Sequence, residues 1–313
     1  MKILIIGISN FIGFNLGNDL VKQFEVVGTI SKNFNQYHDI KEIRIKKLSK
    51  KIRLIKLNIH NKNKIEDIFK IENPDIVINA SGYTKDYTNN SFNRERGYKI
   101  NVLPLNKIIK ALSKNKIKKS LFFHIGSSWE YSQNIKICKE NSNKLPRIPY
   151  GRQKLNATKL LKSIINKDTK IVVLRIFNIF GPLDNNEKFF PYLLSNLKKN
   201  KVSKLSSCTQ MRDYISTNDL AKSVIKIIKI KRRLKNFEIF NICRGRPLLL
   251  KMLATKICAL LGKEKKLLKF DKKNDRDFES KILFGSNEKI MRLTKWRPSK
   301  LNESLKLLTN KTF

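Results

Sequence analysis

Short apolar runs bounded by turn residues alternate along the chain with stretches whose apolar positions recur every three or four residues. The runs "KILIIGI" (2–8), "EVVGTI" (25–30), "DIVINAS" (75–81), "SLFFHIGSS" (120–128) and "KIVVLRIFNIFG" (170–181) read as strands. Between them "FNLGNDLVKQF" (14–24), "KIEDIFK" (64–70), "YKINVLPLNKIIKAL" (98–112) and the segment that opens at Tyr150 read as helices. Strand and helix taking turns implies crossover connections, and these imply a parallel sheet covered on both faces. The fold class is therefore α/β, a doubly wound parallel sheet. Beyond Gly181 the alternation loosens into a helix and a strand outside the main sheet, followed by "YISTNDLAKSVIKIIKI" (214–230), "NFEIFNIC" (236–243) and a basic, helical C-terminal segment. With no low-complexity linker, a smaller α/β domain built from these C-terminal excursions is expected: residues 1–181 and 213–241 form the first domain, 182–212 and 242–313 the second.

The chain has 313 residues, enough for one large or two modest domains. Its 67 Lys+Arg against 25 Asp+Glu give a formal net charge of +42, which raises nucleic acid as a partner. The lysines recur throughout, however, interleaved with Ile and Leu as on the solvated faces of amphipathic elements, so a nucleic-acid role is disfavoured. Cys138, Cys208, Cys243 and Cys258 lack metal-ligand or disulfide spacing, which indicates no metal site and a reducing, cytoplasmic setting. No run approaches a membrane span.

The first strand runs into "GISNFIG", with Gly7 and Gly13 flanking a turn and a helix opening behind them. Glycine permits the tight turn and lets backbone approach a pyrophosphate, so Gly7, Asn10, Phe11, Ile12 and Gly13 are candidate cofactor-binding residues and the sheet is read as Rossmann-type. Asn10 is of a type that tolerates left-handed backbone better than most, though its side chain crowds a pyrophosphate. The second strand ends in Thr29, Ser31 and Lys32, where an NAD-binding fold places an acid. Hydroxyl and ammonium groups suit a 2′-phosphate, which favours NADP(H) over NAD(H). Tyr150 and Lys154 lie four apart and share a helix face. A free phenol titrates near about pH 10, and an adjacent ammonium group is expected to draw it toward the working range of general acid-base catalysis. Ser127 and Ser128, at a strand end upstream, stand where ligands bind in such sheets.

Taken together these motifs resemble the extended short-chain dehydrogenase/reductases of the nucleotide-sugar epimerase/dehydratase type, over nearly the whole chain. "NPDIVINASG", with Ala80, resembles the family's fourth-strand segment, and "KINV" contains the equivalent of its active-site Asn in Asn101. Asn58 stands where members place an Asp toward the adenine. "LRIFNIFGP" and "QMRDYISTNDLA" resemble its later signatures. The resemblance assigns Ser127, Tyr150 and Lys154 to catalysis, Ser128, Asn178, Arg212 and Arg276 to the nucleotide-sugar substrate, and implies a homodimer.

Family dehydratases carry an Asp-Glu pair directly after the catalytic hydroxyl; Ser128 and Trp129 stand there instead. The epimerase-reductases that make GDP-fucose have a cysteine in the place of Trp129 and a later histidine, and "GPLDNNEKFFPYLL" contains none. Two reactions need only Ser127, Tyr150 and Lys154: reduction of a 4-keto sugar nucleotide, and 4-epimerisation with retained NAD. Retained NAD calls for the missing acid, so NADPH-dependent reduction is favoured. The segments 186–214 and 274–290 are also similar to the CDP-abequose synthase-like 4-ketoreductases of 6-deoxyhexose pathways.

Overall fold

The computed structural model describes residues 1–87, 91–114, 120–132, 135–271 and 281–310. Seven strands, β1 (Lys2–Ile6), β2 (Glu25–Ile30), β3 (Arg53–Lys56), β4 (Ile76–Asn79), β5 (Ser120–Ser127), β6 (Thr169–Ile176) and β7 (Phe237–Ile242), form one parallel sheet in the order 7-6-5-4-1-2-3. Eleven helices accompany them among the described residues: α1 (Phe11–Leu20), α2 (Asp39–Ser49), α3 (Lys62–Glu72), α4 (Arg94–Asn101), α5 (Pro104–Lys114), α6 (Pro149–Ser163), α7 (Phe189–Lys198), α8 (Thr217–Lys229), α9 (Leu250–Leu260), α10 (Glu288–Thr294) and α11 (Leu301–Asn310).

The unbroken apolar run of β1 follows from burial on both faces. Ile3 and Ile5 pack with Phe14, Leu16, Ile45, Leu48 and Val224 on one side, while Leu4 and Ile6 pack with Ile65, Phe69, Ile108, Leu112 and Leu161 on the other. Strand order reverses at β1, whose neighbours are β2 and β4, and this opens the crevice in which such sheets bind ligands.

The helical pattern across 98–112 is not one helix. It breaks between α4 and α5, with Val102 at φ −121° and ψ −58°. Pro104 has no N–H to continue the ladder and disfavours helical backbone at Leu103.

Beyond Gly181, α7 and the strand Ser203–Leu205 lie outside the main sheet, and that strand pairs with Leu268–Phe270. A four-stranded sheet joins Leu248–Leu249, Met211–Arg212, Ile282–Gly285 and Ile137–Cys138, the last from the connection between β5 and α6. A separate core of Phe180, Phe190, Leu193, Leu253, Ile257 and Leu305 supports this part, with Phe180 stacked on Phe190 at 4.7 Å between centroids. Among the described residues no helix is long and apolar enough to cross a membrane.

Candidate functional site

The turn after β1 is built by close backbone approach. Gly7 sits at φ +76°, and a Cβ there would meet the Cα of Ser81 at 2.7 Å, so the turn lies directly against the chain leaving β4. Its N–H donates to Thr29 Oγ1 at 3.2 Å. Asn10 does not use left-handed backbone: it is extended, at φ −73° and ψ 159°, and its side chain crosses the switch point to donate to the Ala80 carbonyl at 3.2 Å. The positive φ the turn requires falls on Gly7, where it is not strained, and this frees Asn10 to tie the turn after β1 to the end of β4. Helix α1, with Phe11 and Ile12 in its first turn, carries no side-chain cap and no acidic residue there. Those properties fit the diphosphate of a dinucleotide at a helix N-terminus.

At the end of β2 the N–H groups of Ser31 and Lys32 both donate to the buried Tyr37 hydroxyl, at 2.9 and 3.1 Å. Lys32 is exposed, and cations gather around it. Partial desolvation and the nearby Arg44, Lys32 and Arg96 lower the pKa of Lys41, against the influence of Tyr37. No carboxylate closes β2, so this end also fits a dinucleotide, including one with a further phosphate. Asn58 is exposed and spends its side-chain oxygen on His60 N at 3.0 Å.

Arg44 stands in a lysine-rich stretch of α2, yet it is 1% exposed. Its guanidinium donates to Leu183 O at 2.8 and 2.6 Å, to Ser9 O at 3.2 Å and to Asn185 Oδ1 at 3.0 Å, fastening the glycine turn to the segment after Gly181. Burial lowers its pKa to about 10, opposed by Asp184.

Ser127, Tyr150 and Lys154 come together at the carboxyl end of β5. Ser127 caps a short 3-10 turn, Ser128–Glu130, by accepting from Trp129 N at 3.2 Å, and its hydroxyl lies near enough to the Tyr150 phenol to influence its titration. Helix α6 opens with Pro149, whose fixed φ suits a first helical position. Gly151 then lets it approach so closely that a Cβ would overlap the Trp129 carbonyl oxygen and lie 2.9 Å from Pro146 Cβ. Lys154 Nζ donates to Ile125 O at 2.8 Å and stands 5.8 Å from the Tyr150 ring centroid. Asn101 accepts from Tyr83 N at 2.9 Å and donates to Gln153 Oε1 at 3.0 Å, joining α4, α6 and the chain after β4.

Electrostatics here depart from expectation. Burial and the neighbouring Tyr87 raise the Tyr150 pKa, as does Glu130, opposed by the nearby Ser127 hydroxyl. Lys154 is itself lowered to about 8 by burial, opposed by Glu130. The ammonium group does not draw the phenol down because both are desolvated and its bond goes to the Ile125 carbonyl. Tyr150 is a protonated donor in the protein alone. Its ring faces Tyr87 at 5.0 Å and Phe92 at 6.2 Å between centroids; Tyr87 also meets Trp129 at 6.2 Å and carries Lys188 Nζ 4.7 Å from its ring centroid. Tyr87, Glu130 and Arg44 were not legible as site residues.

On the substrate side, Ser128 is buried, Asn178 opens a strand paired with Tyr214–Ser216, and Arg212 is buried and donates to its neighbour's carbonyl, Met211 O, at 2.9 Å. Asp213 accepts from Arg244 N at 2.7 Å and Gly245 N at 2.8 Å; burial raises its pKa to about 6 against those bonds. Arg276 lies outside the described residues.

A dinucleotide crevice beside a Ser-Tyr-Lys cluster defines a class of Rossmann-fold enzymes, and the chain belongs to the NAD dependent epimerase/dehydratase family, whose model matches residues 3–243. It is 27% identical to a dTDP-D-glucose 4,6-dehydratase of Dictyostelium discoideum, over 77% of this chain and 60% of that protein. It is 24% identical to a GDP-6-deoxy-D-talose 4-dehydrogenase of Aggregatibacter actinomycetemcomitans, over 78% of this chain and 75% of that one. Its fold is similar to that of a UDP-glucuronic acid 4-epimerase from Bacillus cereus, solved with UDP-glucuronic acid and NAD, at a TM-score of 0.83 and 23% identity, covering 99% and 98% of the two chains.

Proposed function

We propose that the protein uses NADPH to reduce the 4-keto group of a nucleotide-activated 4-keto-6-deoxyhexose, with Tyr150 as general acid. The observation that carries this reading is the Ser127–Tyr150–Lys154 cluster beside the glycine turn, with Ser128 and Trp129 in the places of a dehydratase's acid and base. Gly7, the N-terminus of α1, Asn101 and Lys154 hold the dinucleotide, which when bound supplies hydride. Ser127, whose oxygen already accepts from Trp129 N, has its own proton to orient the substrate carbonyl oxygen. Tyr150 gives its proton to that oxygen as negative charge develops on it. Burial keeps the proton on the phenol until then, which suits a donor. Lys154 fixes the ribose and balances the phenolate left behind. The aromatic side chains of Tyr87, Phe92 and Trp129 keep water from the phenol.

NADPH is favoured by the cations Lys32, Lys41 and Arg44 around a β2 end that carries no acid. The GDP-6-deoxy-D-talose 4-dehydrogenase supports chemistry at C4 of a 6-deoxy sugar. The test is a panel of 4-keto-6-deoxyhexoses on different nucleotides, incubated with NADPH and with NADH. The reading expects stoichiometric NADPH oxidation with at least one of them. Interconversion of 4-epimers without net cofactor oxidation would replace it with the epimerase reading.

A further inference from the structure

Glu130 occupies a place the chemistry above does not use. It is 0% exposed, and both carboxylate oxygens are engaged. Oε1 accepts from Ser127 N at 3.0 Å; Oε2 accepts from Arg175 Nε at 2.8 Å and from Thr158 Oγ1 at 2.9 Å. One carboxylate therefore joins the Ser127 turn, strand β6 and helix α6, where Thr158 lies one turn beyond Lys154. Arg175 in turn donates to Tyr131 Oη and to Glu140 O, both at 3.0 Å, and Tyr131 donates to Asn241 Oδ1 at 2.7 Å. Glu130 thus completes a capping box for a three-residue turn. Capping alone is ordinarily done at the surface and does not call for a buried ion pair, whose desolvation penalty can exceed its Coulombic gain.

We propose that Glu130 is a positioning residue for the Ser127–Tyr150–Lys154 cluster: it locks the Ser127 turn to the Tyr150 helix and sets a buried negative charge behind the two groups that handle the proton. The proposal rests on the function above. A carboxylate on this side opposes phenolate at Tyr150 and favours ammonium at Lys154, so the donor keeps its proton and the cation its charge. The charged and titratable groups facing Glu130 are Arg175 from β6, Tyr150 and Lys154 from α6, and Tyr131 and Lys144 from the connection between β5 and α6. Arg175 is bound directly by Glu130, whose influence raises the pKa of both Tyr150 and Lys154 but is smaller than that of burial.

The test compares wild type, Glu130→Gln, Glu130→Gln/Arg175→Gln and Thr158→Val, each saturated with NADP+. The phenolate of Tyr150 is followed by ultraviolet difference spectroscopy, with Tyr150→Phe as blank. In both Gln variants the Tyr150 titration is expected to begin at lower pH than in wild type. The alkaline limb of NADPH-dependent reduction shifts the same way, as a property of the coupled Tyr-Lys pair. Thr158→Val keeps the charge and leaves the titration in place. An unmoved titration in the folded Gln variants overturns the proposal. So does loss of the fold in both, which would assign Glu130 to stability alone. Wild type inert toward every 4-keto sugar sinks the proposed function, yet the spectroscopic titration still reads out Glu130.

Discussion

Gly151→Ala puts the architecture of the site to a direct test, because helix propensity and local packing predict opposite signs. In an exposed helix interior the change stabilises by about 1 kcal/mol. Here the added Cβ overlaps the Trp129 carbonyl oxygen and lies 2.9 Å from Pro146 Cβ and 3.2 Å from Trp129 C, where ordinary contact begins at 3.4 Å. The neighbours are backbone and a proline ring, so none swings aside. Relief requires α6 and the Ser128–Glu130 turn to separate by roughly 1 Å, and overpacking of this kind costs about 1–3 kcal/mol. That movement carries Tyr150 away from Ser127, and a displacement of about 1 Å in a positioned site lowers turnover on the order of a hundredfold. Urea unfolding, NADPH binding by fluorescence and steady-state reduction of an accepted keto sugar read the three quantities. Expected are net destabilisation, weakened NADPH binding because Lys154 moves with α6, and the large loss of kcat. A Gly151→Ala protein that is more stable than wild type and fully active would refute the packing of α6 on the Ser127 turn.

Lys154→Met is expected to abolish turnover while stabilising the cofactor-free protein. Burial lowers this lysine from 10.5 to about 8, a penalty of roughly 3 kcal/mol at neutral pH. Between those values the unfolded chain binds more protons, so the penalty is full below about pH 8 and relieved as pH rises toward 10.5. Urea unfolding of both proteins should show the stability gap closing over that range; a gap that widens contradicts the assignment. Arg44→Met removes four hydrogen bonds to the glycine turn and residues 183–185. A loss of about 2–4 kcal/mol follows, together with weaker NADPH binding, and calorimetry that finds neither would show the clamp to be idle.

Sheet and helix order were legible because burial on both faces leaves an unmistakable pattern: β1 has no polar position from Ile3 to Ile6, and α6 presents Tyr150 and Lys154 on one face. The break at Leu103 was written in Pro104 but hidden by the continuous apolar period around it. Arg44 was camouflaged, being one of 67 basic residues, and only its partners at residues 9, 183 and 185 distinguish it. Glu130 and Tyr87 owe their roles to neighbours brought close by folding, and local spacing carries no trace of such contacts. The phenol's electrostatics were misjudged for a related reason. Sequence shows the cation four residues away, but not the burial that outweighs it or the carbonyl at Ile125 that holds it.

The most direct measurement is single-turnover oxidation of bound NADPH by an accepted 4-keto-6-deoxyhexose nucleotide, in wild type and Tyr150→Phe. The account predicts that Tyr150→Phe binds NADPH normally and transfers hydride about 10²–10⁴-fold more slowly, the usual contribution of a positioned general acid. A Tyr150→Phe protein that reduces the sugar at the wild-type rate would contradict it.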